Sequence, residues 1–309
     1  MAGMEEEPRF VLALDFGGTK IDIGTASLDG EILVSDRIET HPERGAAQAV
    51  ERALDVARRL VDRTDGECVG AGAVSPGIVE DERVLLAPNV PDWDGLRLPA
   101  VIRDGLGMDS VAVANDVNAG ALAEVLWGAL AGAGVAVFLS LGTGVKAGLV
   151  VGGEVFTGAH GAAGEIGYSL RDPSDGAGFS AGQAPLEEFV GGRGLGRRAS
   201  TLLGTSLTAA EAFAHPDVPA RFLEEWLAEL TMHVANLAIA LDPERIAVGG
   251  GLVGDGATII AALRKRVADA VPFPPEVVPA RFLQDGALRG AAALAIDALA
   301  HGALVEESR

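Results

Sequence analysis

Leu14-Asp-Phe-Gly-Gly-Thr-Lys-Ile-Asp-Ile-Gly-Thr-Ala-Ser-Leu-Asp-Gly-Glu-Ile-Leu33 and Leu139-Ser-Leu-Gly-Thr-Gly-Val-Lys-Ala-Gly-Leu-Val-Val-Gly-Gly-Glu-Val-Phe156 share one plan. Each runs as an apolar strand, a glycine turn, a second strand, a glycine hairpin and a third strand. The residue-by-residue match is loose, but the order of elements is the same. The chain therefore reads as a duplicated fold whose halves present equivalent glycine turns to each other. Glycine lets backbone N–H groups crowd onto phosphate oxygens, so two such turns facing across a cleft make an anion site. One turn alone is usually only a turn. A third follows Ile246-Ala-Val248 as Gly249-Gly250-Gly251, which weakens that bland reading.

Working outward, the spacing of Ala46, Ala49, Val50, Ala53, Val56, Ala57 and Leu60 predicts a helix over 45–63. Val69 to Val74 reads as a buried strand closed by Ser75-Pro76-Gly77. The stretch from Leu85 to Trp93 is loop-like and sets Asn89 between two prolines; Leu98 to Leu106 suggests a helix. Val111-Ala-Val-Ala-Asn-Asp-Val-Asn118 then passes from a buried strand into a helix start, with Asp116 between Asn115 and Asn118. Strand ends leading into helices are where α/β sheets place ligands, and an acid there can take a proton from a hydroxyl. The competing reading is a helix cap, since Asn and Asp are favoured N-cap residues. Phe222, Trp226, Leu230, Val234, Leu237 and Leu241 give the helix over 220–241 a core face. Further helices are predicted over 259–271 and 286–303, whereas 153–167 reads as irregular and 172–184 as mobile.

The 309 residues suffice for two domains, and 49% hydrophobic with 22% charged residues is an ordinary globular profile. A net charge of −20 argues against nucleic-acid partners but not against a nucleotide, which needs one local electropositive pocket. No apolar run approaches the roughly 18 residues of a membrane span, and the acidic first eight residues do not fit a signal peptide. The single cysteine, Cys68, excludes an internal disulfide framework and suits a reducing cytoplasm; it reads as a small core residue.

Together these residues resemble the ROK family of sugar kinases and their repressor relatives, over nearly the whole chain from Leu12 to Ala295. Leu14 to Lys20 resembles the family's first phosphate motif and Leu141-Gly-Thr-Gly144 its second. Ser75-Pro-Gly-Ile-Val79 and Pro88-Asn89 resemble sugar-pocket loops, and Asn115-Asp-Val-Asn118 the catalytic loop. Ala162-Ala-Gly-Glu-Ile-Gly167 and Leu186-Glu187 resemble sugar-binding segments, and Gly249-Gly250-Gly251 the nucleotide motif. The resemblance implies an α/β, two-domain actin-like, hexokinase-like (ribonuclease H-like) ATPase fold with a cleft between domains. The expected domains are 1–115 with about 288–309, and 116–287.

It further implies ATP-dependent phosphorylation of a hexose, glucose by default, at its 6-hydroxyl, with Asp116 as general base. Gly77, Asn89, Asn115, Asp116, Glu165, Tyr168 and Glu187 are the implied sugar contacts. Asp15, Gly17, Gly18, Thr19, Lys20, Gly142, Thr143, Gly144, Gly249, Gly250 and Gly251 are the implied ATP contacts. Asp15 is the implied carboxylate near Mg²⁺, directly or through water. Which of Glu187 and Glu188 points inward stays open, as does polyphosphate as donor. Relatives are often homodimers; no membrane and no nucleic-acid partner is expected.

The chain also departs from the family pattern. Tyr168 stands where relatives commonly carry a histidine, and no cysteine follows Cys68, so the zinc-binding cluster that braces the family's sugar pocket has no ligands here. No structural zinc is therefore expected. Tyr168 is expected either to hydrogen-bond to sugar or Glu165, or to sit half-buried and satisfied by backbone. Lys146-Ala147 replaces glycines, with Lys146 expected to point away from phosphate. The rivals to a kinase are a non-catalytic sugar-binding regulator and a degenerate kinase. The nine residues before the first strand are too few for a helix-turn-helix, which favours the enzyme.

Overall fold

The computed structural model describes residues 7–80, 83–85, 91–176, 178–254, 257–283 and 285–307. Contacts divide the chain into two compact units, Met1–Ala123 with Asp285–Arg309, and Glu124–Gln284. The first unit opens with the antiparallel meander β1 (Arg9–Phe16), β2 (Lys20–Ser27) and β3 (Ile32–Glu39). It continues through α1 (Ala46–Arg63), β4 (Glu67–Ser75), the small hairpin β5 (Ile78–Glu80) and β6 (Arg83–Leu85), α2 (Leu98–Leu106) and β7 (Val111–Asn115). Next comes α3 (Asp116–Trp127), within which the second unit begins.

That unit also opens on a meander, β8 (Val135–Leu141), β9 (Val145–Val151) and β10 (Glu154–Phe156). It then runs α4 (Pro185–Val190), α5 (Gly192–Leu203), α6 (Ala209–Ala214), α7 (Ala220–Leu241), β11 (Arg245–Gly249), α8 (Ala257–Ala270) and β12 (Glu276–Pro279). The last helix, Gly286–Glu307, belongs to the first unit.

The two main sheets have the orders β3-β2-β1-β4-β7 and β10-β9-β8-β11-β12. In each, an antiparallel meander is extended from its first strand by two parallel strands. The duplicated plan is thus present in topology, where it is far plainer than in residue identity.

Period-two alternation along β1 sends Leu12, Leu14 and Phe16 to a core with α1, α2 and Trp93. Val11 and Ala13 go to the opposite core, under Leu288, Ala291 and Ala295 of the last helix. In the second unit Val137, Leu139 and Leu141 pack with Trp226, Leu230 and Val234 of α7 and Leu263 of α8.

The break between units was expected before Asp116 and falls instead inside α3. Ala119 is fully buried in the core beneath the last helix, which ties the first turns of α3 to the first unit. Five residues on, the buried Glu124 turns to the second unit, accepting from Ala129 N–H at 2.6 Å and Phe282 N–H at 2.9 Å.

Candidate active site

In the first unit, β1, β4 and β7 are parallel neighbours, with Asp15 paired to Val74 and Ser75 to Asn115. Asp15, the Ser75-Pro76-Gly77 turn and Asn115-Asp116 therefore crowd the carboxyl ends of adjacent strands. Asn115 is buried and its Oδ1 accepts from Asn118 N–H at 2.8 Å, so it caps α3. Its amide hydrogens and the second lone pair of Oδ1 could still meet a ligand. Asn118 is itself buried and faces inward. Asp116 is the exposed member of the group, with Oδ1 accepting from Val117 N–H at 2.9 Å.

Asp15 contrasts with it. Burial first, then the charges of Asp116 and Asp22, push its pKa from 3.8 up to about 7, against smaller opposing effects of Lys20 and Arg37. In the adjoining turn Gly17 N–H is committed to Lys20 O at 3.0 Å, leaving Gly18 and the exposed Thr19 as the tip. The Lys20 ammonium lies 3.5 Å from Asp22 Oδ2, and Arg37 also pairs with Asp22.

In the second unit the two glycine turns leave the ends of adjacent parallel strands, Gly249 being paired with Ser140. Gly250 has φ +96°, and a Cβ there would meet the backbone of Leu141 at 2.4 Å, so only glycine allows the Gly249–Gly251 turn to lie against β8. Leu252 N–H closes the contact on Leu141 O at 2.9 Å. Gly142 N–H bonds to Gly144 O, so here too the first glycine shapes the turn and the exposed Thr143 forms its tip. Beyond Gly251 lies an apolar cavity of about 560 Å³ walled by Phe213, Leu223, Trp226, Leu227, Leu252 and Ile259.

Glu187 on α4 presses against the second turn. Its Oε2 accepts from Val145 N–H at 3.3 Å, and a Cβ on Gly144 would come within 2.0 Å of that oxygen. Glu188 is exposed, bonded to Ala184 N–H at 3.3 Å and lying 3.5 Å from Arg197. The inward carboxylate is thus Glu187. Glu165 sits just before a short 3-10 helix, Ile166–Tyr168, and its Oε1 is 3.1 Å from Lys146 Nζ, both side chains being largely covered. Tyr168 is half-buried, edge-on to Phe179 with centroids 5.5 Å apart. Desolvation and the nearby Glu165 and Glu187 charges raise its pKa, and Lys146 acts the other way. A second cavity of about 300 Å³ is lined by Thr143, Tyr168, Phe179, Glu187 and Arg193.

The model of the ROK family matches residues 11–298. The chain belongs to the ROK family. Among its relatives, the N-acetyl-D-glucosamine kinase of Photobacterium profundum is 31% identical over 91% of this chain and 98% of its own. The ROK hexokinase of Thermus thermophilus superposes with a TM-score of 0.81 at 28% identity, covering 95% of this chain and all of that one. The ROK glucokinase of Streptomyces griseus, solved with glucose and AMPPNP, superposes with a TM-score of 0.75 at 28% identity over 92% of this ROK chain and 98% of its own. The fold is the two-domain actin-like, hexokinase-like one.

In this ROK chain the residues singled out from sequence fall into two clusters, one per unit. The first brings together Asp15, Gly17, Gly18, Thr19, Lys20, Gly77, Asn115 and Asp116; Asn89 lies outside the described residues. The second brings together Gly142, Thr143, Gly144, Glu165, Tyr168, Glu187 and Gly249 to Gly251. The 172–184 stretch, expected to be mobile, carries short 3-10 helices at Pro173–Asp175 and Gly178–Ala181. Asp172 and Asp175 form a capping box around the first. Lys146, expected to point away from phosphate, pairs with Glu165, a contact that was not expected from the sequence. A lone lysine beside a glycine turn carries no sign of which acid it will meet.

Proposed function

We propose that this chain transfers the γ-phosphoryl group of ATP to a hexose or aminosugar, at the 6-hydroxyl, with glucose as the first substrate to test. The observation that carries the reading is Asp116: an exposed carboxylate at a strand-to-helix junction, held by its own cap, beside a second carboxylate kept from ionising freely. A hydroxyl attacking phosphorus must lose its proton, and the Asp116 carboxylate accepts it; the remainder of the task is positioning and charge stabilisation.

Glu165 and Glu187 are carboxylates each able to accept two sugar hydroxyls, with Tyr168 and the amide hydrogens of Asn115 as donors. The turn tips at Gly18, Thr19, Thr143 and Gly144 offer backbone N–H and hydroxyl donors to phosphate oxygens. The apolar cavity past Gly251 suits the nucleotide base. Asp15, crowded by like charges, is the residue to hold Mg²⁺, which when bound supplies neutralisation of phosphate charge.

A coupled assay of ATP consumption over a panel of hexoses and aminosugars tests the activity. Turnover on at least one sugar, yielding a sugar phosphate, is expected; none on any would overturn the reading. Asp116→Asn should keep the fold and sugar binding while lowering kcat by about 10²–10⁴. A variant turning over at the wild-type rate removes Asp116 from the role of base.

A further inference from the structure

The segment from Ser169 to Ala184 links Tyr168 to the start of α4 and has little apolar burial of its own. Its Leu170 is 53% exposed and Phe179 59%. A stretch so poor in buried surface needs specific contacts to stay ordered. The Arg171 side chain supplies two of them.

Arg171 Nε donates to Glu229 Oε1 on α7 at 2.8 Å, with only 27% and 18% of the two side chains exposed. Its guanidinium carbon lies 3.7 Å from the ring centroid of Phe189, which stands on α4 two residues beyond Glu187. Arg198 lies 3.6 Å from the same centroid and donates to Phe189 O at 2.8 Å. Two planar cations thus stack on one ring, and each holds it in place. The backbone N–H of Arg171 donates to Asp175 Oδ2 at 2.7 Å, which ties the main chain that carries the guanidinium to the capping box of the segment.

We propose that Arg171 is a positioning residue: it staples the 169–184 segment to α4 and α7 and so fixes Tyr168 and Glu187. This rests on the reading in which those two residues contact sugar. A solvated ion pair would do little, but a covered, hydrogen-bonded pair that also stacks on an aromatic face combines two interactions strengthened by desolvation. Lysine cannot replace it in full, because an ammonium keeps the pair with Glu229 and loses the planar stack.

Arg171→Ala should raise the KM for sugar about tenfold, leaving kcat and the KM for ATP within about twofold. Amide exchange across 169–184 should accelerate in the same variant. Arg171→Lys should recover part of both effects. Glu229→Gln should act in the same direction but more weakly, and the double variant should be no worse than Arg171→Ala, since both remove one unit. Should Arg171→Ala not fold, Glu229→Gln carries the test by the same two readouts. Unchanged exchange, faster exchange with an unchanged sugar KM, or equal rises in both KM values would each overturn the proposal. A wild-type chain that phosphorylates no sugar sinks the kinase reading alone, and the exchange comparison then judges Arg171.

Discussion

Asp15 and Asp116, at the ends of two strands separated by β4, show how two identical side chains acquire different surroundings. Asp116 is open to solvent at a helix start, while Asp15 is desolvated and repelled, with its pKa raised to about 7. The sign of the consequence follows from proton counting. Between the ordinary value of 3.8 and about 7 the folded state holds a proton that the unfolded state has released. The contribution of Asp15 to stability therefore falls as pH rises through that window and stays unfavourable above it. In metal-free protein, Asp15→Asn should raise Tm at pH 8 clearly more than at pH 5, measured by scanning calorimetry. Equal shifts at both pH values would mean that Asp15 ionises without hindrance. At this scale the sequence was legible in kind but not in contact. Adjacent Glu187 and Glu188 are indistinguishable as letters, and what separates them is the Val145 N–H and the bare Gly144 facing one of them.

Strands and long helices could be read from sequence because burial imposes a period on them, as along β1 and α7. The helices α4, α5 and α6 were not foreseen. Gly192-Arg-Gly-Leu-Gly196 has poor helix propensity. Tertiary contact overrides that preference: a Cβ at Gly194 would meet Glu188 O at 2.1 Å, so α5 needs the bare backbone to pack against α4. Glu124 makes a second point about elements. Its carboxylate, almost fully buried, satisfies one N–H just beyond α3 and another more than a hundred residues later. Glu124→Ala should cost about 2–4 kcal/mol, since it leaves two covered N–H groups unpaired. The urea midpoint measures this, and a loss below about 0.5 kcal/mol would show that water reaches both groups.

Taken whole, the molecule carries a net charge of −20 spread over 309 residues, and like charges oppose the compact state. Raising sodium chloride from about 20 mM to about 300 mM shortens the Debye length severalfold and should lift Tm by a few degrees. A fall in Tm would mean that attractive pairs such as Lys146 with Glu165 outweigh the repulsion. The last helix, 286–307, completes the core of a unit whose other strands were synthesised first. The second unit is one unbroken stretch, 124–284. During synthesis, then, the middle of the chain has all its parts before the beginning does, and the first sheet keeps one face uncovered until 286–307 can pack on it.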